Sequence, residues 1–98
     1  MEVDNMRKKY YFGTKKEFRE QDSPKIFYAA NPDEFVENLW KHSHFSWLCD
    51  NPEAMKLRLR KSHPSKKGFS LDNKKFMDWI CTHHLAVRLG GHNESPNQ

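Results

Sequence analysis

The sequence predicts an α+β fold, with three helices packed on a small aromatic-rich β-hairpin or sheet, and three observations support it. Two short aromatic runs, Tyr10-Tyr11-Phe12 and Ile26-Phe27-Tyr28, are separated by a stretch with turn formers at both ends. Three capping signals, at Asn31-Pro32, Asn51-Pro52 and Asp72, precede apolar residues at helical spacing. The chain of 98 residues is the size of one domain, long enough for one small core without staples. A winged-helix-like arrangement fits these signals, and a small all-α bundle is the alternative. The domain is expected over residues 7–91, with a frayed start at 1–6 and a disordered tail at 92–98.

The core must be aromatic. Val, Ile, Leu and Phe total only 19 residues, so three Trp, three Tyr and four Met have to make up the buried area. Between the two aromatic runs, GTKKEFREQDSP leaves room for a short helical turn around Lys15 to Glu20. In the first main helix Asn31 caps, Pro32 takes the first position and Glu34 completes a capping box. Phe35, Val36, Leu39 and Trp40 then share one side, and an end near Ser43 is expected. Phe45, Trp47 and Leu48 follow as a short turn packed into the core.

Asn51-Pro52-Glu53 starts the next helix, although Met55-Lys56-Leu57-Arg58-Leu59-Arg60-Lys61 is ambiguous. Its Leu/Arg alternation has the period of a strand, while Met55 and Leu59 have helical spacing; the cap favours the helix. SHPSKKG is a loop, broken by Pro64 and Gly68. In the last helix Asp72 can cap, with Leu71 and Phe76 placed as a staple, and Ser70 is an alternative cap two residues earlier. Phe76, Met77, Ile80, Cys81, His84 and Val87 build its apolar face, and Gly90-Gly91 supply the stop.

Charge is unevenly distributed. Residues 54–71 carry +6 with no acid, on a chain whose net charge is +4, and residues 21–53 carry −4. Soluble faces generally mix signs, so an unmixed basic run points to a partner. Lys56, Arg58, Arg60, Lys61, Lys66 and Lys67, extended by Lys74 and Lys75, form the candidate nucleic-acid or partner-binding set. They suit a phosphate backbone, whose bound counterions they would release. The partner is therefore expected to be nucleic acid, DNA or RNA, or an acidic protein surface. The acidic helix bearing Asp33, Glu34 and Glu37 would be a second contact or a homodimer surface. Two further nucleic-acid features are weaker. Arg7-Lys8-Lys9 lies beside aromatics that the core needs, and Asn73, Lys74 and Lys75 open the last helix, as in a groove-reading helix.

No Gly-rich phosphate loop, nucleophile elbow or Ser-His-Asp spacing is present, so an enzyme is not expected. Cys49, Cys81, His42, His44, His83 and His84 include residue types that ligate zinc, but no Cys-x-x-Cys anchors them; neither metal nor cofactor is expected. With two cysteines and no apolar run of even ten residues, the expected location is cytoplasmic, or nuclear if eukaryotic, without membrane contact. The basic segment also lacks the Trp or Phe that would anchor it in a membrane interface. The function expected is a small basic nucleic-acid-binding accessory or regulatory protein. The alternative is a non-enzymatic protein-binding modulator or inhibitor of a larger machine.

Overall fold

Tyr10 and Tyr11 are neighbours on the first strand and point to opposite faces of the sheet, yet both are buried. That is possible because helices cover both faces. The computed structural model describes residues 7–89. The expectations for 1–6 and 92–98, and the Gly90-Gly91 stop, lie outside the described residues.

Strand β1 (Lys8–Phe12) is central, in the order β2-β1-β3, with β2 (Ile26–Ala29) and β3 (Ala86–Arg88) both antiparallel to it. Tyr10 lies opposite Phe27 in the register and its ring stacks on it at 5.5 Å, while Phe35 meets Tyr10 edge-on at 4.9 Å. Phe12, on the same face, meets Phe45 at 5.5 Å. The opposite face is covered by α1 (Lys15–Glu20), whose Phe18 packs 5.4 Å from Tyr11. Gln21 donates to the Tyr11 hydroxyl at 2.6 Å.

Thr14 and Glu17 form a capping box at the start of α1. The preceding Gly13 has φ +144°, and a Cβ there would lie 2.6 Å from the Tyr11 ring and 2.7 Å from the Glu17 carboxylate. Only glycine fits this bend. The first two strands are thus joined by a helical crossing segment rather than a tight hairpin.

The second helix, α2 (Pro32–Lys41), packs against β2, the short α3 (Phe45–Leu48), α4 (Pro52–Ser62) and α5 (Asn73–Thr82). Phe35, Val36 and Leu39 fill the core, and Asn31 accepts from the Glu34 N–H at 2.8 Å. The Glu34 carboxylate reaches one residue further back than a capping box requires: it accepts from Ala30 N–H at 2.8 Å and pairs with Arg7 at 3.2 Å. In α3 only Phe45 is buried. Trp47, expected in the core, is 76% exposed.

Helix is the outcome for residues 55–61. Asn51 accepts from Ala54 N–H at 2.8 Å, and burial follows Met55 and Leu59 while Leu57 stays 49% exposed. A strand would have placed Leu57 and Leu59 on the same face. Five helices on a three-stranded sheet are therefore present among the described residues, against the three helices expected; the two extra ones are the short α1 and α3.

The last helix differs from expectation. Asp72 caps it as predicted, but α5 ends at Thr82. His84 takes φ +59°, its N–H bonds Cys81 O at 3.1 Å, and Leu85 N–H bonds Ile80 O at 2.9 Å. That pair of bonds is a Schellman stop, with histidine where glycine is usual. His84 and Val87 therefore leave the helical face, and residues 86–88 turn back to pair with β1.

Candidate nucleic-acid interface

The segment joining α4 to α5 is strapped down by five contacts. Trp79 Nε1 donates to Lys66 O at 3.1 Å, and the His83 ring meets Lys67 O at 2.8 Å. Phe69 lies edge-on to Trp79 at 5.2 Å and to Phe76 at 6.1 Å. Lys56 Nζ donates to Leu71 O at 2.6 Å. Gly68, at φ +94°, makes the bend over Trp79. Backbone carbonyls and one ring face α5, so Lys66 and Lys67 ride on a fixed support.

Lys56 does not belong to the exposed patch. It is 4% exposed, and its ammonium is held by Leu71 O and by Asn73 Oδ1, the latter also at 2.6 Å. Its position on α4, one residue past Met55, turns it inward beside the Phe76 ring, 5.8 Å from the centroid. Leu71, expected to staple onto Phe76, is 44% exposed and supplies this carbonyl instead. A cation counted toward a surface charge is thus a structural tie between two helices.

Arg58, Arg60 and Lys61 lie on the solvent side of α4, around the exposed Leu57. Arg60 also lies over the Phe69 ring, its guanidinium carbon 5.5 Å from the centroid, a cation–π contact that leaves its N–H groups open. Lys66 is half-buried and Lys67 exposed. Lys67 and Lys75 border one cleft of about 240 Å³, with Asp78, Trp79 and His83. The strap therefore sets Lys67 and Lys75 beside one another. Lys74 is different: it pairs with Asp78 at 3.2 Å, an exposed i,i+4 contact worth only a few tenths of a kcal/mol. Among the described residues, no carboxylate lies within ion-pair distance of Arg58, Arg60, Lys61, Lys66, Lys67 or Lys75.

The acids collect at the other end of α4. Asp33, Glu37 and Glu53 border a cleft with Asn51 and Asn73, near the helix N-terminus. The basic residues occupy its C-terminal half, on a helix of 11 residues and so roughly 16 Å long. Each pole matches the α4 dipole, acids at the positive end and cations at the negative end.

The groove-reading possibility for α5 is weakened by Asn73. Its amide Nδ2 donates to Asp33 at 2.8 Å and its Oδ1 accepts from Lys56, so both ends are occupied. The aromatic run beside Arg7-Lys8-Lys9 is core material, since Tyr10 and Tyr11 are buried. Cys49 is buried, and burial together with the Asp78 charge raises the Cys81 thiol, which disfavours the thiolate a metal or an electrophile would need. Among the described residues, no group of three His, Cys, Asp or Glu is placed to hold a metal ion. No described helix is long and apolar enough to cross a membrane.

A second cationic cleft, lined by Lys25, Lys41, His42, His44 and Trp47, escaped the sequence reading. Its sequence signal was the run Lys41-His42-Ser43-His44 before an exposed Trp, but Lys25 comes from a distant segment. Comparison with protein-family models, curated proteins and solved structures finds no match for this chain.

Proposed function

We propose that the protein is a nucleic-acid-binding accessory or regulatory protein that grips the phosphate backbone with Arg58, Arg60, Lys61, Lys66, Lys67 and Lys75. The observation that carries this reading is the set of cations without carboxylate partners among the described residues, held on α4 and on the strap tied to α5. A surface that only needed solubility would intersperse acids among them. The strap also lowers the entropic cost of binding, because its backbone is already ordered before any ligand arrives. Lys56 is absent from the set, and Lys74 contributes only when its Asp78 pair opens.

A second reading, docking on an acidic protein surface, draws support from Leu57. An apolar side chain 49% exposed amid Arg58, Arg60 and Lys61 would add little on a phosphate backbone but would be buried in a protein interface.

Fluorescence anisotropy with generic duplex DNA, single-stranded DNA and RNA tests the choice. Binding at about 50 mM salt, lost on changing Arg58 and Arg60 to Glu, supports the first reading. No binding of any of the three at that salt rejects it, because non-specific affinity is strongest when counterions are scarce.

A further inference from the structure

The three tryptophans do not serve alike. Trp40 Nε1 donates to Cys49 O and Trp79 Nε1 to Lys66 O, each at hydrogen-bonding distance from a carbonyl. Trp47 is 76% exposed, and among the described residues its indole N–H has no partner. It stands at the edge of a half-open cleft of about 400 Å³, within the roughly 300–1,000 Å³ range of ligand sites. Lys25, Lys41, His42 and His44 line the same cleft, and among the described residues no acid does. A neighbouring cleft of about 450 Å³ shares Lys25, His42, Ser43 and His44 with it and is bordered beyond them by Gln21, Ser23, Phe12 and Phe27.

Lys41 and His42 close α2, where a helix dipole already favours cations, so by themselves they would indicate no ligand. Lys25 has no such reason to be there. It comes from the segment before β2 and faces the same space, with no ion pair among the described residues. An exposed indole costs free energy in water unless something covers it, and its neighbours select a covering that is both aromatic and anionic.

We infer that this trough is a second binding site, taking an unpaired nucleic-acid strand with a base stacked on Trp47 and phosphates held by Lys25 and Lys41. Trp47 is the platform and the lysines give the anion preference; base stacking of this kind tolerates any sequence. A mononucleotide shares the chemistry, but the adjoining cleft that shares Lys25, His42 and His44 gives room for a second nucleotide and favours a strand. The inference takes its ligand class from the proposed function and uses a different set of residues, so the two fail separately.

The test is anisotropy with fluorescein-labelled dT12 and a labelled duplex at about 50 mM salt, using wild type, Trp47→Ala, Trp47→Tyr and the triple variant R58E/R60E/K61E. Trp47→Ala should weaken dT12 about five- to 100-fold, Trp47→Tyr should recover much of that, and duplex binding should not change. Because Trp47 is 76% exposed, the variant is expected to keep the wild-type far-UV circular dichroism and urea midpoint. Unlabelled dTMP should displace dT12 far less well than the oligomer does. Equal dT12 binding by wild type and Trp47→Ala overturns the inference while leaving the α4 patch standing. Competition by polyglutamate as strong as by dT12 also overturns it, in favour of an acidic polypeptide. Duplex binding lost in the triple variant, with Trp47-dependent dT12 binding retained, supports both sites. Trp47-dependent dT12 binding that the triple variant keeps in full, with neither duplex DNA nor RNA bound by the wild type, supports this site and rejects the α4 patch.

Discussion

The ammonium of Lys56 lies 2.6 Å from the carbonyl oxygen of Leu71, and this contact joins α4 to the residue just ahead of the α5 cap. A buried cation satisfied by a backbone carbonyl and an amide oxygen, rather than by a carboxylate, is a geometric tie between elements distant in sequence. Replacing Lys56 with Met keeps most of the aliphatic bulk but leaves Leu71 O without its donor. The expected loss is about 1–3 kcal/mol in urea unfolding. Nucleic-acid affinity of the folded variant should match that of the wild type, since Lys56 makes no surface contact.

His84 makes the second prediction. Its φ of +59° is a conformation that glycine adopts freely and β-branched residues resist. His84→Gly should raise stability by up to about 1 kcal/mol, because relief of the left-handed strain outweighs the greater unfolded-chain entropy of glycine, and His84→Val should lower it by roughly 1–2 kcal/mol. Thermal unfolding of the pair checks this; the same order reversed would mean that the helix does not stop there.

Glu34 predicts a pH dependence. The Ala30 N–H bond, followed by the Arg7 charge, holds its carboxyl below the usual glutamate range. A depressed folded value stabilises the protein above the ordinary glutamate range, and that contribution is lost as pH falls through the folded value. Glu34→Gln keeps an acceptor for Ala30 but loses the charge. Urea midpoints of wild type and variant should differ at neutral pH and converge in acid.

Phe69 ties the strap to the core through Trp79 and Phe76 and also carries Arg60 over its ring. Phe69→Ala should cost about 2–3 kcal/mol, below the full-core range because the ring is only half-buried. It should also shift Trp79 emission to the red as water reaches the indole. Unchanged emission would mean that the strap is held by its carbonyl bonds alone.

Several features were legible because their causes are local. Asn31, Asn51 and Asp72 cap the helices that their sequences announce, and the aromatic runs become paired strands. What was not legible depends on distant partners. The end of α5 rests on a histidine accepting a left-handed turn, which no glycine announces, and β3 gains its role only by pairing with β1. Lys56 and its neighbours Arg58, Arg60 and Lys61 are alike as letters, and only the packing of α4 against α5 turns one of them inward. The second cleft needs Lys25 beside Trp47, two residues that sequence spacing cannot bring together.

The account rests most directly on the cations of α4 and the strap contacting phosphates, and the salt dependence of duplex binding measures that contact. A plot of log K against log salt should fall with a slope of roughly −5 for wild type, as expected for five or six phosphate contacts at about 0.9 each. The double variant Arg58→Gln with Lys61→Gln should be shallower by about 1.8, while Lys56→Met should keep the wild-type slope. A double variant with an unchanged slope would contradict the account.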